Sequence, residues 1–171
     1  MSRFGTTPPE VAVQRSLDLL APFFRERIEK VIRDLAGGPV EWPFETLRTP
    51  ERQAYLHGFG RTYDDGRGIV TNAVTSWRTW HGYGLAIDIV EKGANPWDAP
   101  EGFWLALGQR GEANGLVWGG RWTHPDRPHL QWAGCPVSPT LEDAVLAQEH
   151  GIEAVWQKYR ATAAPPAGVQ A

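Results

Sequence analysis

Apolar residues at Leu17, Leu20, Phe24, Ile28, Val31 and Leu35 recur at spacings of three and four and stop at Gly37-Gly38. That is the period of one face of an α-helix, and it predicts an amphipathic, core-facing helix that Pro22 interrupts or restarts. Upstream, Thr7-Pro-Pro-Glu10 has the form of a helix start, with Thr7 as cap, Pro8 in the first helical position and Glu10 closing a capping box. Val40 to Leu47 reads as extended, and Thr49-Pro50-Glu51 caps a further helix running to about Gly60. The pattern then changes. Asp64-Asp-Gly-Arg-Gly68 is a turn-rich loop, while Ile69-Val-Thr71 and Leu85-Ala-Ile-Asp-Ile-Val90 carry the β-branched residues of strands. Residues 91–100 form a loop with Gly93, Pro96 and Pro100. Phe103 to Ala113 is helical and stops at Asn114-Gly115. Leu116-Val-Trp118 and His129-Leu-Gln-Trp132 are short strands, and a last helix covers Thr140 to Ala161 with Gly151 as a potential break. These elements predict an α+β fold, a small and mainly antiparallel sheet flanked by helices. They are expected to form one domain over residues 1–162, followed by a disordered Ala/Pro-rich tail over 163–171.

Composition narrows the function classes. Seventeen basic residues against twenty acidic ones give a formal net charge of −3, too balanced to argue for nucleic acid or an anionic membrane surface. No stretch approaches the roughly 20 apolar residues of a membrane span, and no apolar segment follows the basic residue near Met1. The expectation is a protein made in the cytoplasm without a signal peptide or membrane insertion. The single cysteine, Cys135, excludes an internal disulfide framework and a multi-cysteine metal knot; it reads as a small apolar residue rather than a ligand.

The chemistry concentrates in two segments about forty residues apart, His81-Gly-Tyr-Gly-Leu-Ala-Ile-Asp88 and Asp126-Arg-Pro-His129. Together they offer two imidazoles and a carboxylate, with a second carboxylate three residues before the last histidine. Three N/O ligands with one open position describe a catalytic zinc site, and a carboxylate beside the open position is suited to take a proton from water. His81 and Asp88 would lie about 10 Å apart on one helix, and Gly82 and Gly84 argue against a helix there. A loop carrying His81 back over the strand of Asp88 brings them together. On that strand Ala86 and Asp88 face one way and Ile87 and Ile89 the other. Each residue also has a plainer reading: Asp88 as a surface-facing strand carboxylate, His81 as a satisfied structural histidine, Asp126 as a turn residue. His124, five residues before His129, is a rival ligand, whereas His57 and His150 fall on helices without metal-type partners.

From Glu45-Thr-Leu-Arg48 to His129-Leu-Gln-Trp132, about half the chain, the sequence resembles the D-alanyl-D-alanine carboxypeptidase and L-alanyl-D-glutamate peptidase family of zinc peptidases. The matching blocks are Arg48-Thr-Pro-Glu-Arg-Gln53, Gly60-Arg-Thr62, Ile69-Val-Thr-Asn-Ala73, the His81 to Asp88 segment, Trp118-Gly-Gly-Arg-Trp122 and Asp126-Arg-Pro-His129. Their order is more specific than any one of them, and the last two look most like the bacteriophage endolysin branch. The resemblance implies peptidoglycan stem peptides as substrate and zinc on the open face of the sheet. His81, Asp88 and His129 become the Zn2+ ligands, and Asp126 the general base and then acid. Arg48 becomes the arginine that holds the substrate carbonyl or carboxylate and steadies the oxyanion. Thr79 and Gln53 are expected at substrate-binding positions; Trp80 and Trp122 flank the proposed site, where their rings either meet substrate or fill the core.

Three departures bear on specificity: Thr79 replaces the usual serine, the loop Tyr63-Asp-Asp-Gly-Arg-Gly68 is long, and Arg121 stands where relatives often carry an acid. The favoured activity is an L-alanyl-D-glutamate endopeptidase acting on the bacterial wall, released in endolysin fashion through a holin pore. The alternative is a D-alanyl-D-alanine carboxypeptidase or dipeptidase, with Arg48 or Arg121 meeting the terminal carboxylate. A non-catalytic zinc module like the Hedgehog signalling domain is the third class, and the retained carboxylate at Asp126 argues against it.

Overall fold

Four short strands form one antiparallel sheet in the order β1-β2-β4-β3: β1 (Glu41–Glu45), β2 (Ala86–Glu91), β3 (Leu116–Trp118) and β4 (His129–Trp132). The computed structural model describes residues 4–35, 41–92 and 95–162. Five α-helices accompany the sheet: α1 (Pro22–Leu35), α2 (Pro50–Gly58), α3 (Glu101–Ala113), α4 (Leu141–His150) and α5 (Ile152–Arg160). The α+β class read from the chain is the one observed.

Register sets which side chains share a face. Glu45 pairs with Asp88 and Asp88 with His129, so one row across β1, β2 and β4 carries all three on the same face. The alternate row, Ile87 opposite Leu130, turns to the opposite face and is fully buried. Helices α1 and α3 cover that apolar face. Of the residues at 3–4 spacing, Phe24, Ile28, Val31 and Leu35 line the buried side of α1, the first three at 0% exposure, while Leu17 and Leu20 precede the helix in and after a separate 3-10 turn; Gly111 of α3 sits against the Leu130 side chain. With helices on one face, the other is left for chemistry. β1 is an edge strand, which tolerates Pro43 because its missing N–H faces no neighbour.

Two expected elements do not form. Residues 7–16 are irregular rather than helical, because their carbonyls serve partners elsewhere: Gln14 O accepts from Thr46 N and Oγ1, and Val11 O accepts from the Arg52 guanidinium. Ile69-Val70-Thr71 is not a strand. It lies outside the sheet between Gly68, at φ +69, and a loop held by Arg61, and Ile69 stays 59% exposed. The rest follows the reading closely. Pro22 opens α1, Thr49 caps α2 by accepting from Arg52 N, and Gly151, at φ +82, divides the last helix into α4 and α5. The Gly37-Gly38 stop and the 163–171 tail lie outside the described residues.

The C-terminal helices brace the site from behind. Trp132 Nε1 donates to Tyr159 O, Trp156 Nε1 to Tyr83 O, and the Tyr159 ring packs edge-on against Trp80 at 5.2 Å. At their junction Asp143 is fully buried and accepts from Lys158 Nζ (2.8 Å), Thr140 N and Oγ1 (2.8 Å each) and Tyr159 OH (3.0 Å). Burial pushes its pKa up, but hydrogen bonds from Lys158, Thr140 and Tyr159 outweigh it and hold the carboxyl below the ordinary value. A depressed folded-state pKa contributes stability that is present above the unfolded value and lost as pH falls through the folded one. Asp143→Ala is therefore expected to cost roughly 3 kcal/mol at neutral pH, with the gap to the parent narrowing below about pH 4; denaturant titrations at both pH values measure it. An equal gap at both would show that the carboxylate charge is not what stabilises the junction.

Candidate metal centre

Asp88 reaches the open face from the middle of β2, His129 from the first residue of β4 beside it, and His81 from a 3-10 turn (Trp80–Tyr83) that folds over β2. That turn needs its glycines. Gly84 adopts φ +64, and a Cβ on Gly82 would stand 2.0 Å from Ser76 O. Backbone bonds fix the turn to the sheet's neighbours, with Arg48 N donating to His81 O at 3.0 Å and Leu85 N to Trp80 O at 3.1 Å.

The protonation of the imidazoles follows from their outer partners. His81 Nδ1 lies 3.1 Å from Thr46 O, which only accepts, so Nδ1 carries the proton and Nε2 is bare. Gln131 Nε2 donates to Pro136 O at 3.3 Å, which turns its Oε1 toward His129 Nε2 at 3.1 Å; that nitrogen donates, leaving Nδ1 bare. The two bare nitrogens face each other at 3.2 Å, with Asp88 Oδ1 at 3.3 Å from one and 3.4 Å from the other. Asp88 Oδ1 is buried and has no hydrogen-bond donor. One ligand atom from each of His81, Asp88 and His129 lies within 4.8 Å of the others.

Three buried lone pairs converging without a donor repel one another unless a cation lies between them. Burial disfavours charge on both groups, yet the neighbouring imidazoles hold Asp88 well below the usual carboxylate range, and Asp88 pushes His129 above the ordinary imidazole value. Two imidazoles and one carboxylate with outer hydrogen bonds that orient the rings suit Zn2+ and leave a coordination position open. The donor set fits the metal.

Asp126 sits beside this cluster, on the loop before β4. Its N–H donates to Gly119 O at 3.0 Å, and its Oδ2 lies 4.0 Å from the bare Nδ1 of His129, too far for a hydrogen bond. The side chain is half exposed to the cleft; partial burial, then the charge of Asp88, raises its pKa. Trp118 Nε1 donates to Arg127 O at 2.7 Å and pins the loop.

Arg48 also reaches the cluster. Its guanidinium pairs with Glu45, donates to Gln53 Oε1 at 3.3 Å and stands 3.6 Å from Asp88 Oδ2. Gln53 is fully buried behind it, donating to Ala73 O and accepting from Arg48, and is not among the cleft-lining residues. Thr79, Trp80 and Trp122 line the cleft; Trp80 is largely buried with Nε1 donating to Pro136 O, and the Trp122 ring packs 5.0 Å from His129. Arg121 does not line it. Its guanidinium pairs with Glu112 on the outside, over Trp118. His124 is exposed and outside the cluster, and the Cys135 thiol is buried and apart from it.

Sequence reading missed Glu45 and Gln131. Glu45 shares the ligand row and binds both Arg48 and Arg52; its place three residues before Arg48 was the available signal. Gln131, two residues after His129 on a strand, had to share its face.

The cleft over the cluster has a volume of about 930 Å³, walled on one side by Phe44 and Trp97 and on another by Val137 and Pro139. Residues 72–132 match the family profile described as D-alanyl-D-alanine carboxypeptidase. No curated protein sequence matches the chain. Among solved structures, the L-Ala D-Glu endopeptidase ChiX of Serratia marcescens aligns with TM-score 0.49 and 23% identity, covering 68% of this chain and 82% of that one. A Zn(II) complex of the vancomycin-resistance D,D-pentapeptidase VanY from a VanB-type cassette aligns with TM-score 0.47 and 14% identity, covering 85% and 90%. At those scores the weight rests on the family segment and the geometry. The matched segment, about a third of the chain, contains His81, Asp88, Asp126 and His129, so the part that carries the candidate metal centre is similar to the D-alanyl-D-alanine carboxypeptidase family.

Proposed function

We propose that this protein is a zinc peptidase of peptidoglycan stem peptides, with His81, Asp88 and His129 as ligands and Asp126 as general base. The observation that carries this reading is the donorless convergence of three buried ligand atoms at the floor of an open cleft, with a half-exposed carboxylate 4.0 Å from one of them. Zinc held there supplies an acidified water and a Lewis acid for the scissile carbonyl. The protein's own groups do the remainder. Asp126, half exposed to the cleft beside His129, takes the proton of the attacking water and returns it to the departing amine. Arg48, fixed by Glu45 and Gln53, presents a preorganised cation to the developing oxyanion. Thr46 O and Gln131 Oε1 keep both imidazoles in the ligating tautomer.

The bond we favour is L-Ala–D-Glu, cut internally. The open cleft, about 930 Å³ in volume, has room for a peptide running through it on both sides of an internal bond. The second reading, release of terminal D-Ala, is supported by the description of the matched family. Mass spectrometry of purified peptidoglycan digested by the zinc-loaded protein separates them. New N-terminal D-Glu is the expected product; released D-Ala would move the assignment to the carboxypeptidase. Absence of either product from a range of wall types, with zinc bound, would refute both. On the endopeptidase reading the protein acts as an endolysin of bacteriophage type, released to the wall through a holin.

A further inference from the structure

Five guanidiniums line the cleft: Arg15, Arg48, Arg52, Arg67 and Arg78. Four of them are engaged by the protein. Arg15 Nε donates to Phe44 O at 3.2 Å with its guanidinium over the Phe44 ring. Arg48 is held by Glu45 and Gln53. Arg52 is shared among Glu45, Glu10 and the Val11 carbonyl. Arg67 binds both oxygens of Asp65 and lies 4.2 Å over the Phe59 ring.

Arg78 differs. Its side chain has no hydrogen-bonding or ionic partner among the described residues. It ends the 3-10 turn Ser76–Arg78, three residues before His81, and its neighbour Thr79 lines the same wall with a hydroxyl that is also without a partner there. The cleft's carboxylates are committed elsewhere: Glu45 to Arg48 and Arg52, Glu10 to Arg52, Asp88 to the ligand cluster, and Asp126 beside it. A dication among the ligands would balance Asp88 and Asp126 and leave the charge of Arg78 unmet. A guanidinium on a cleft wall with no internal counter-charge is stabilised when a carboxylate enters and accepts its forked N–H donors.

We propose that Arg78 is the specificity-determining cation of this cleft and pairs with a carboxylate of the bound stem peptide. The inference rests on the peptidase reading above, and it fills the role that Arg121, facing outward, does not. Two substrate carboxylates have the chemistry: the α-carboxylate of the D-glutamyl residue, next to the endopeptidase bond, and the C-terminal carboxylate of a D-alanyl end.

The test compares the zinc-loaded parent with Arg78→Ala and Arg78→Lys on three synthetic stem peptides: one with both carboxylates free, one amidated at the D-glutamyl α-carboxylate, one amidated at the C-terminus. On the free peptide Arg78→Ala should raise KM roughly tenfold with kcat within about twofold, and Arg78→Lys should recover part of the loss. One of the two amidations should impose the same KM penalty on the parent and none on Arg78→Ala, which identifies the carboxylate. The same peptides are titrated by calorimetry onto zinc-loaded Asp126→Ala protein, with and without Arg78→Ala, so that binding is read apart from turnover. If no peptide is cleaved but affinity for the free peptide depends on Arg78, the carboxylate contact stands and the peptidase reading falls. Unchanged KM and affinity in Arg78→Ala, equal penalties from both amidations, or no binding of any peptide would overturn the proposal.

Discussion

Replacing His129 with alanine is expected to remove both metal and activity. His129 contributes one of the three converging ligand atoms, and its loss leaves only His81 Nε2 and Asp88 Oδ1 to face the ion. Outer-shell substitutions alone cost roughly 10- to 100-fold in metal affinity, so loss of a direct ligand should exceed that and leave the protein metal-free after ordinary dialysis. The fold should survive, because the β2–β4 pairing is made by backbone groups and the Ile87–Leu130 row on the opposite face is untouched. Metal content by mass spectrometry, circular dichroism and peptidoglycan turnover together read the outcome. A folded variant that still holds stoichiometric zinc would take His129 out of the ligand set.

Asp126→Ala should give the contrasting phenotype, a protein that keeps zinc and loses kcat. The Asp126 carboxylate is 4.0 Å from the ligating side of His129 and is not one of the three clustered ligands. General acid–base groups contribute typically 10²- to 10⁴-fold, and a loss of about 10³ in kcat with little change in KM is the expectation. Asp126→Asn should behave alike, since it keeps shape and loses basicity. If either variant turns over at the parental rate, another group moves the proton.

Much of this site was legible in the chain because ligand chemistry is local in sequence. The spacing of His81 and Asp88, with glycines between, required a turn folding back on a strand, and the 3-10 turn at Trp80–Tyr83 does this. The alternation of Ala86 and Asp88 against Ile87 and Ile89 is the alternation of the two sheet faces. What was not legible depends on contacts far along the chain. The Thr7-Pro8-Pro9-Glu10 start has every local mark of a helix cap, but Arg52, Thr46 and Phe44 compete for that segment's groups and win. Ile69 to Thr71 has strand composition and no strand beside it to pair with. The guanidinium of Arg78, without a partner among the described residues, belongs to the same class, because this emerges only once every other charge on the wall has been assigned.

Arg48 and Arg121 show why residue type alone misleads. Both sit in segments that resemble the peptidase family, yet one is drawn into the cluster by Glu45 and Gln53 and the other is held outside by Glu112. The difference is decided by which carboxylate each meets. Glu45, buried on the ligand row, is the residue that brings the arginine in.

The most direct test of the central claim is to strip metal with a chelator, remove the chelator, and follow peptidoglycan hydrolysis while zinc is titrated back. The account predicts loss of all turnover in the stripped protein and its recovery in proportion to zinc, saturating at a single ion per chain, with no recovery in a protein lacking His81, Asp88 and His129. Undiminished hydrolysis by thoroughly metal-free protein would contradict it.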